Sequence, residues 1–336
     1  MQTLLVAAFL AVAPTILYLI VLNWIDRYEK EPWTLLLAGV VLGAIVAPLA
    51  SMAILGATGR GFELTPSFAP RPTGADPVVA LVEELVKGAL LIGLVAWVRD
   101  EFDDVVDGIV YGAAVGAGFG AGETFIYAIG GVSLPPGTLF RLVVSGLDHA
   151  LYTAVFGAVL GYAATLRSRN ERLVTVALGL ATAVLLHTLH DSIPTILSRL
   201  LPLSTGGSGV LTSILAELIP LLGILTLVIA IVYALRREAA VLRTELLPEV
   251  ESGVISRADY DTITSRRGQL ARAGSTYRAH GMRGVMTLRR LYATEGELAF
   301  QKRRLVVRSR RRPQETRTED LRAEIGRLRQ RLGGQA

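Results

Sequence analysis

A series of long apolar blocks constrains this chain more than any other feature. Each block runs about 20 residues, the length a helix needs to cross a bilayer. Soluble domains are about 45–50% apolar with interrupted periodicity; here the figure is 51% and the apolar residues are concentrated in the blocks. This patterning predicts an all-α fold, a polytopic membrane helical bundle of about seven transmembrane helices.

The seven expected spans are 3–22, 34–56, 78–98, 105–130, 137–166, 173–198 and 210–235. Charged or breaker-rich connections separate them: DRYEKEPW (26–33), TPSFAPRPTGADP (65–77), RDEFDD (99–104), RSRNER (167–172) and PLSTGGSG (202–209). No basic residue precedes Leu4–Leu22, and Arg27 is the first. The segment therefore reads as a first spanning helix, not as a cleaved leader with a basic n-region.

Residues 1–235 hold 11 Lys/Arg against 17 Asp/Glu, whereas residues 236–336 hold 23 against 12. Two regions are expected on that basis: a helical bundle (1–235) and a basic tail with amphipathic helices (236–336). Arg27, Lys30, Arg99, Arg167, Arg169 and Arg172 fall in one set of alternate loops, ahead of Arg236 and Arg237. The positive-inside bias then places the N-terminus outside the cell membrane and the tail in the cytoplasm. In the tail, Leu321, Ile325, Leu328 and Leu332 mark an amphipathic helix, and KRRLVVRSRRR (302–312) is strongly basic. A solvated helical appendage near anionic lipid is the expectation; no nucleic-acid-binding module or interleaved aromatics support a nucleic-acid partner. Cysteine is absent, which excludes disulfides and thiol nucleophiles.

Ionisable residues inside spans are rare and usually face a protein interior or a water-filled cavity. This chain places Glu83, Glu84, Lys87, Glu123, His149, His187, His190, Asp191 and Glu217 in its expected spans, including three of its four histidines. At 1.5 Å per residue, Glu83, Glu84, Glu123 and Asp191 lie roughly 10 Å from the outer helix ends, with His187 and His149 at ~16 and ~18 Å. Four helices thus carry carboxylates and imidazoles to the middle and outer bilayer. Asp76 is the expected N-cap of the third helix, with Pro77 at its first position. Lys87 lies one turn from both Glu83 and Glu84 and can pair with either. The two glutamates point about 100° apart, so one can face a cavity while the other braces a neighbour. His187 and Asp191 share a face at i,i+4, and the small residues of GAAVGAGFGAG (112–122) allow close helix approach.

Such a set can run general-base hydrolysis through a buried carboxylate, with imidazoles steadying an oxyanion. It can also hold a divalent metal that activates water, with His149, His187 and Glu123 as candidate ligands and zinc as a candidate ion. HExxH and G-x-S-x-G motifs are both missing. Local salt bridges, an ion- or proton-coupled transporter, and a scaffold acting through its basic tail are the competing readings.

Taken in order, DRYEKEPW, EELVK (83–87), FDDVVDGIVYGAAVGAGFGAGETFIY (102–127), HALYTAVFGAVLGYA (149–163) and LLHTLHD (185–191) resemble the PrsW family of intramembrane proteases, relatives of the CAAX prenyl endopeptidases. The resemblance covers roughly residues 20–195. It implies peptide-bond hydrolysis within the membrane, with single-span membrane proteins, anti-sigma factors among them, as substrates. It also implies catalytic roles for Glu83, Glu84, Glu123, His149, His187 and Asp191, supported by Lys87, Phe119 and Thr124. Thr124 stands where the family usually has Asn, and Asp191 where Asn is common.

Overall fold

Glycine spacing in one helix organises the first part of the molecule. The computed structural model describes residues 2–25, 31–59, 76–98, 102, 104–129, 136–200, 218–308 and 313–333. Its helices are α1 (Gln2–Ile25), α2 (Trp33–Val41), α3 (Ala47–Ala57), α4 (Pro77–Trp97), α5 (Val105–Ile129), α6 (Pro136–Thr165), α7 (Arg169–Leu200), α8 (Leu218–Glu251), α9 (Arg257–Ile263), α10 (Arg266–Arg308) and α11 (Pro313–Gly333). A π-helical turn, Leu42–Val46, joins α2 to α3. No strand occurs among the described residues.

Helices cover the described parts of all seven expected apolar segments. Among the described residues, four helical stretches are long and apolar enough to cross a membrane: Leu4–Asn23, Trp33–Ala57, Val105–Ile126 and Arg169–Ser192. By contrast, α4 carries Glu83, Glu84 and Lys87 in every stretch of spanning length. Residues 210–217, including Glu217, and most of the expected connecting loops lie outside the described residues. At the start of α4, the Asp76 carboxylate accepts the Val78 N–H at 2.9 Å, and Pro77 occupies the first turn, where its missing N–H costs nothing.

Two compact units can be distinguished, Met1–Asp26 with Glu31–Ile231, and Arg27–Lys30 with Val232–Ala336. In the first, α5 is the central helix: 83% of its spanning stretch is buried, against 22–33% for the other three. A Cβ on Gly108 would lie 1.9 Å from the Gly157 carbonyl of α6, and one on Gly118 would lie 2.2 Å from the Val40 carbonyl of α2. Both neighbours can approach only because these positions lack side chains. The π-helical turn also presses against α5, since a Cβ on Gly43 would meet the Val115 carbonyl at 2.0 Å. The outer faces of α1 and α7 expose Leu4, Phe9, Ile16, Leu173 and Leu178, an apolar surface suited to lipid.

The second unit has an apolar core of its own, built from Leu242, Leu246, Ile255, Leu288, Leu291 and Leu298, with Leu321, Ile325 and Leu328 of α11. The stripe expected on a solvated amphipathic helix is therefore used up in packing. Glu249 fastens this core: it accepts Lys302 Nζ at 2.8 Å and the Arg322 guanidinium at 2.8 and 2.9 Å. These bonds hold the Glu249 carboxyl below the usual range. α10 is two helical segments meeting at Gly281, whose φ of 63° suits glycine. Residues 309–312 of the basic run lie outside the described part.

Candidate active site

Helices α4, α5, α6 and α7 bring the ionisable residues of the spans together. On α4 the two adjacent glutamates diverge. Glu84, 1% exposed, accepts from Lys87 Nζ at 2.5 Å and from His187 Nδ1 at 2.9 Å. Glu83 instead lines a small cavity with Glu123, Ser51, Met52, Phe119 and Ile126. Its Oε2 lies 3.8 Å from His187 Nε2.

Lys87 is fully buried, and its ammonium also reaches His149 Nδ1 at 3.1 Å. An ammonium has no lone pair, so His149 Nδ1 accepts this bond and the ring proton sits on Nε2. That N–H donates to Glu123 Oε2 at 2.8 Å. Lys87 further stands 4.3 Å from the centre of the Phe119 ring, which packs edge-on against His149 at 4.8 Å. Phe119 thus shapes the pocket and shields the cation, worth about 2 kcal/mol for a desolvated pair. Thr124 is buried beside Glu123 on α5.

His187 is held on every side. With Nδ1–H donated to Glu84, Nε2 is directed toward Glu83 and toward Asp191 Oδ2 at 3.4 Å. Tyr152 stacks on its ring at 5.1 Å and an interplanar angle of 20°. A carboxylate on one imidazole nitrogen fixes the tautomer and leaves the other nitrogen for chemistry, as behind metal-binding histidines.

All six predicted catalytic residues, with Lys87 and Phe119, therefore meet in one cluster. His190 joins it as well: its Nδ1 lies 3.7 Å from Asp191 Oδ1 and its Nε2 lies 3.6 Å from Asp148 Oδ2. Sequence reading did not single out Asp148, although a carboxylate beside His149 in an apolar helix is the same signal that picked out the others. Tyr152 and Ser51 carry no comparable signal, because a lone tyrosine or serine in a membrane helix is commonplace.

Glu83, His149 and His187 form a possible metal-holding group, their three donor atoms lying within 4.8 Å of one another. One carboxylate and two imidazoles are a donor set that zinc and related ions accept. The close group has Glu83 where the sequence expectation placed Glu123, whose Oε2 is instead hydrogen-bonded to His149 Nε2.

An all-helical membrane protein with a buried carboxylate–imidazole centre beside a small cavity is the class that this geometry defines. The chain belongs to the PrsW family: the model for PrsW family intramembrane metalloproteases matches residues 31–235, and the protein is accordingly a membrane protease. It matches no curated protein and no solved structure.

Proposed function

We propose that this protease cuts single-span membrane proteins, anti-sigma factors among them, near the extracytoplasmic face, with Glu83 as the base that activates water. The observation that carries this reading is the division of labour on α4. Glu84 is committed to Lys87 and His187, whereas Glu83 lines the cavity together with Glu123.

In this mechanism Glu83 takes a proton from water in the cavity as the oxygen adds to the scissile carbonyl. Glu84 and Asp191 hold His187 with Nε2 toward the reacting atoms. The Lys87 ammonium fixes His149 with its proton on Nε2, where that N–H can stabilise a developing oxyanion. Glu83, His149 and His187 would alternatively hold a zinc ion, which would supply Lewis acidity and a lowered water pKa in place of Glu83 acting as base. His149 can offer Nε2 to a cation only once that nitrogen is deprotonated, and Glu123, 2.8 Å away, is placed to receive the proton.

The same reading takes the seven apolar segments as seven crossings, with the N-terminus outside and the tail cytoplasmic. It also treats the 1–235 bundle as the protease and assigns the basic tail to anionic lipid. Purified protein with candidate single-span substrates, with and without chelator, tests it. Cleavage is expected, lost on chelation and in Glu83→Gln or His187→Ala protein that still folds in the membrane. Full proteolysis by a Glu83→Gln/Glu84→Gln double variant would overturn the assignment.

A further inference from the structure

Gly281 does more than divide α10; it reverses the chain. A Cβ on Gly284 would lie 3.1 Å from Thr276 Cγ2, whereas eight residues of straight helix span about 12 Å. The Arg272 charge also acts on Tyr292 and Glu295, which a straight helix would hold at least ~30 Å away. α10 is therefore a helical hairpin with its tip at Gly281.

The inner sides of the two arms are occupied. Ala273 packs on the core of the second unit from one arm, and Leu288 and Leu291 are buried in it from the other. The outer sides expose large apolar side chains close to the tip: Tyr277 is 56% exposed, Met282 58% and Met286 63%. Three such exposures within ten residues form an apolar patch of the kind that marks an interaction site. Its surroundings are basic. Residues 262–294 hold seven arginines and no Asp or Glu. Arg272 and Arg290 are engaged by Asp259 and Glu324 at 3.2 and 2.9 Å, but Arg278 and Arg283, exposed beside the tip, meet no carboxylate among the described residues.

Apolar side chains set among arginines fit the surface of an anionic bilayer, where the former enter the acyl boundary and guanidinium groups meet phosphate. A second copy of the same face would bring like charges together. Single-stranded nucleic acid would find one aromatic side chain here, Tyr277, on which to stack a base. The chain also reaches this unit directly from the apolar segment 210–235, which tethers the hairpin to the membrane.

We propose that the α10 hairpin is a membrane-surface anchor, its tip inserting Tyr277, Met282 and Met286 into an anionic leaflet with Arg278 and Arg283 on the lipid phosphates. This refines the assignment of the basic tail to anionic lipid and rests on it. The contact belongs to a folded surface and not to the 302–312 run.

The chain lacks cysteine, so Met282→Cys and Met286→Cys variants of the full-length protein each accept a single nitroxide. Arg303→Cys marks the basic run. Each labelled protein is placed in nanodiscs of phosphatidylcholine alone, or of phosphatidylcholine and phosphatidylglycerol in equal parts. Electron paramagnetic resonance then reads the label's access to oxygen and to a water-soluble nickel chelate. In the anionic discs the ratio of oxygen to nickel access at both methionine positions should rise at least about threefold. Arg278→Gln/Arg283→Gln should cancel most of that rise, as should raised salt. An unchanged ratio at both, beside a shift at position 303, would overturn the hairpin contact and keep the lipid assignment of the tail. No shift at any of the three positions would overturn both. Loss of access to both reagents in either lipid would mean that protein covers the tip, and a response only to added RNA would make it a nucleic-acid contact. Either result would overturn the proposal.

Discussion

Glu83 and Glu84 are neighbours in sequence but point about 100° apart around α4, and their surroundings give them different consequences when altered. Glu83→Gln keeps the shape of the cavity wall and removes the carboxylate proposed as the base. It is expected to leave the melting curve unchanged while lowering cleavage by at least about 100-fold, read on purified protein. Glu84→Gln breaks a buried pair and leaves the Lys87 ammonium without its carboxylate, a loss of about 3–5 kcal/mol. The double variant Glu84→Gln/Lys87→Met should recover most of that stability without recovering activity, because His187 and His149 each lose an orienting partner. Spectroscopic unfolding beside a cleavage assay distinguishes the two glutamates. The sequence makes the pair conspicuous, since charges in a membrane helix demand partners. Which glutamate turns to the cavity depends on how α4 is rotated against α7, and local spacing does not encode that.

At the scale of elements, contact between α5 and α6 places His149 opposite Glu123 and Lys87. A Cβ on Gly116 would fall 2.1 Å from the His149 carbonyl, so Gly116→Ala must push α6 away at His149. Gly93 on α4 has nothing within 4 Å of the corresponding position. Gly116→Ala is expected to lower both thermal stability and cleavage, whereas Gly93→Ala should match the wild type in both. The run GAAVGAGFGAG announces close packing, and both glycine faces of α5 are used as that composition suggests. Composition could not assign one face to α6 and the other to α2 and the π-helical turn. Nor could it reveal the partners of the α11 stripe, because Leu242 and Leu246 on α8 and Leu291 on α10 lie far from α11 in sequence and meet it only in the folded unit.

At the scale of the whole molecule, one of the two units carries a pH dependence of its own. In the second, Glu295 is fully buried, neither of its oxygens has a hydrogen-bond partner among the described residues, and burial with nearby Asp259 pushes its carboxyl up to about 8. The folded unit therefore binds a proton that the unfolded chain releases above its ordinary value of 4.5. Stability from this group is complete below that value and is lost as pH rises through about 8. Glu249 acts in the opposite sense, its contribution being lost only as pH falls below the usual carboxylate range. Amide exchange of α9–α11 in the full-length protein should thus be slowest, after correction for the intrinsic rate, near pH 5 and should quicken toward pH 8. Glu295→Gln is expected to flatten the upper part of that profile. A basic tail with an apolar stripe was legible in the sequence; a buried acid within it was not, since Glu295 sits among charged residues and gives no hydropathy signal.

The π-helical turn at Leu42–Val46 carries one further consequence. Such a turn accommodates a residue more than a regular α-helix would in the same stretch, and each residue rotates the remainder of the helix by about 100°. The turn therefore absorbs a residue whose insertion into a regular helix would swing Ser51 and Met52 off the cavity wall. Removing one of the five residues is expected to restore an ordinary helix with both side chains still in place, whereas removing one from the regular turn that follows, Ala47–Ala50, would rotate them away. The cavity wall thus tolerates a change in residue count before Ala47 and not after it, and single-residue deletions on the two sides would expose the difference.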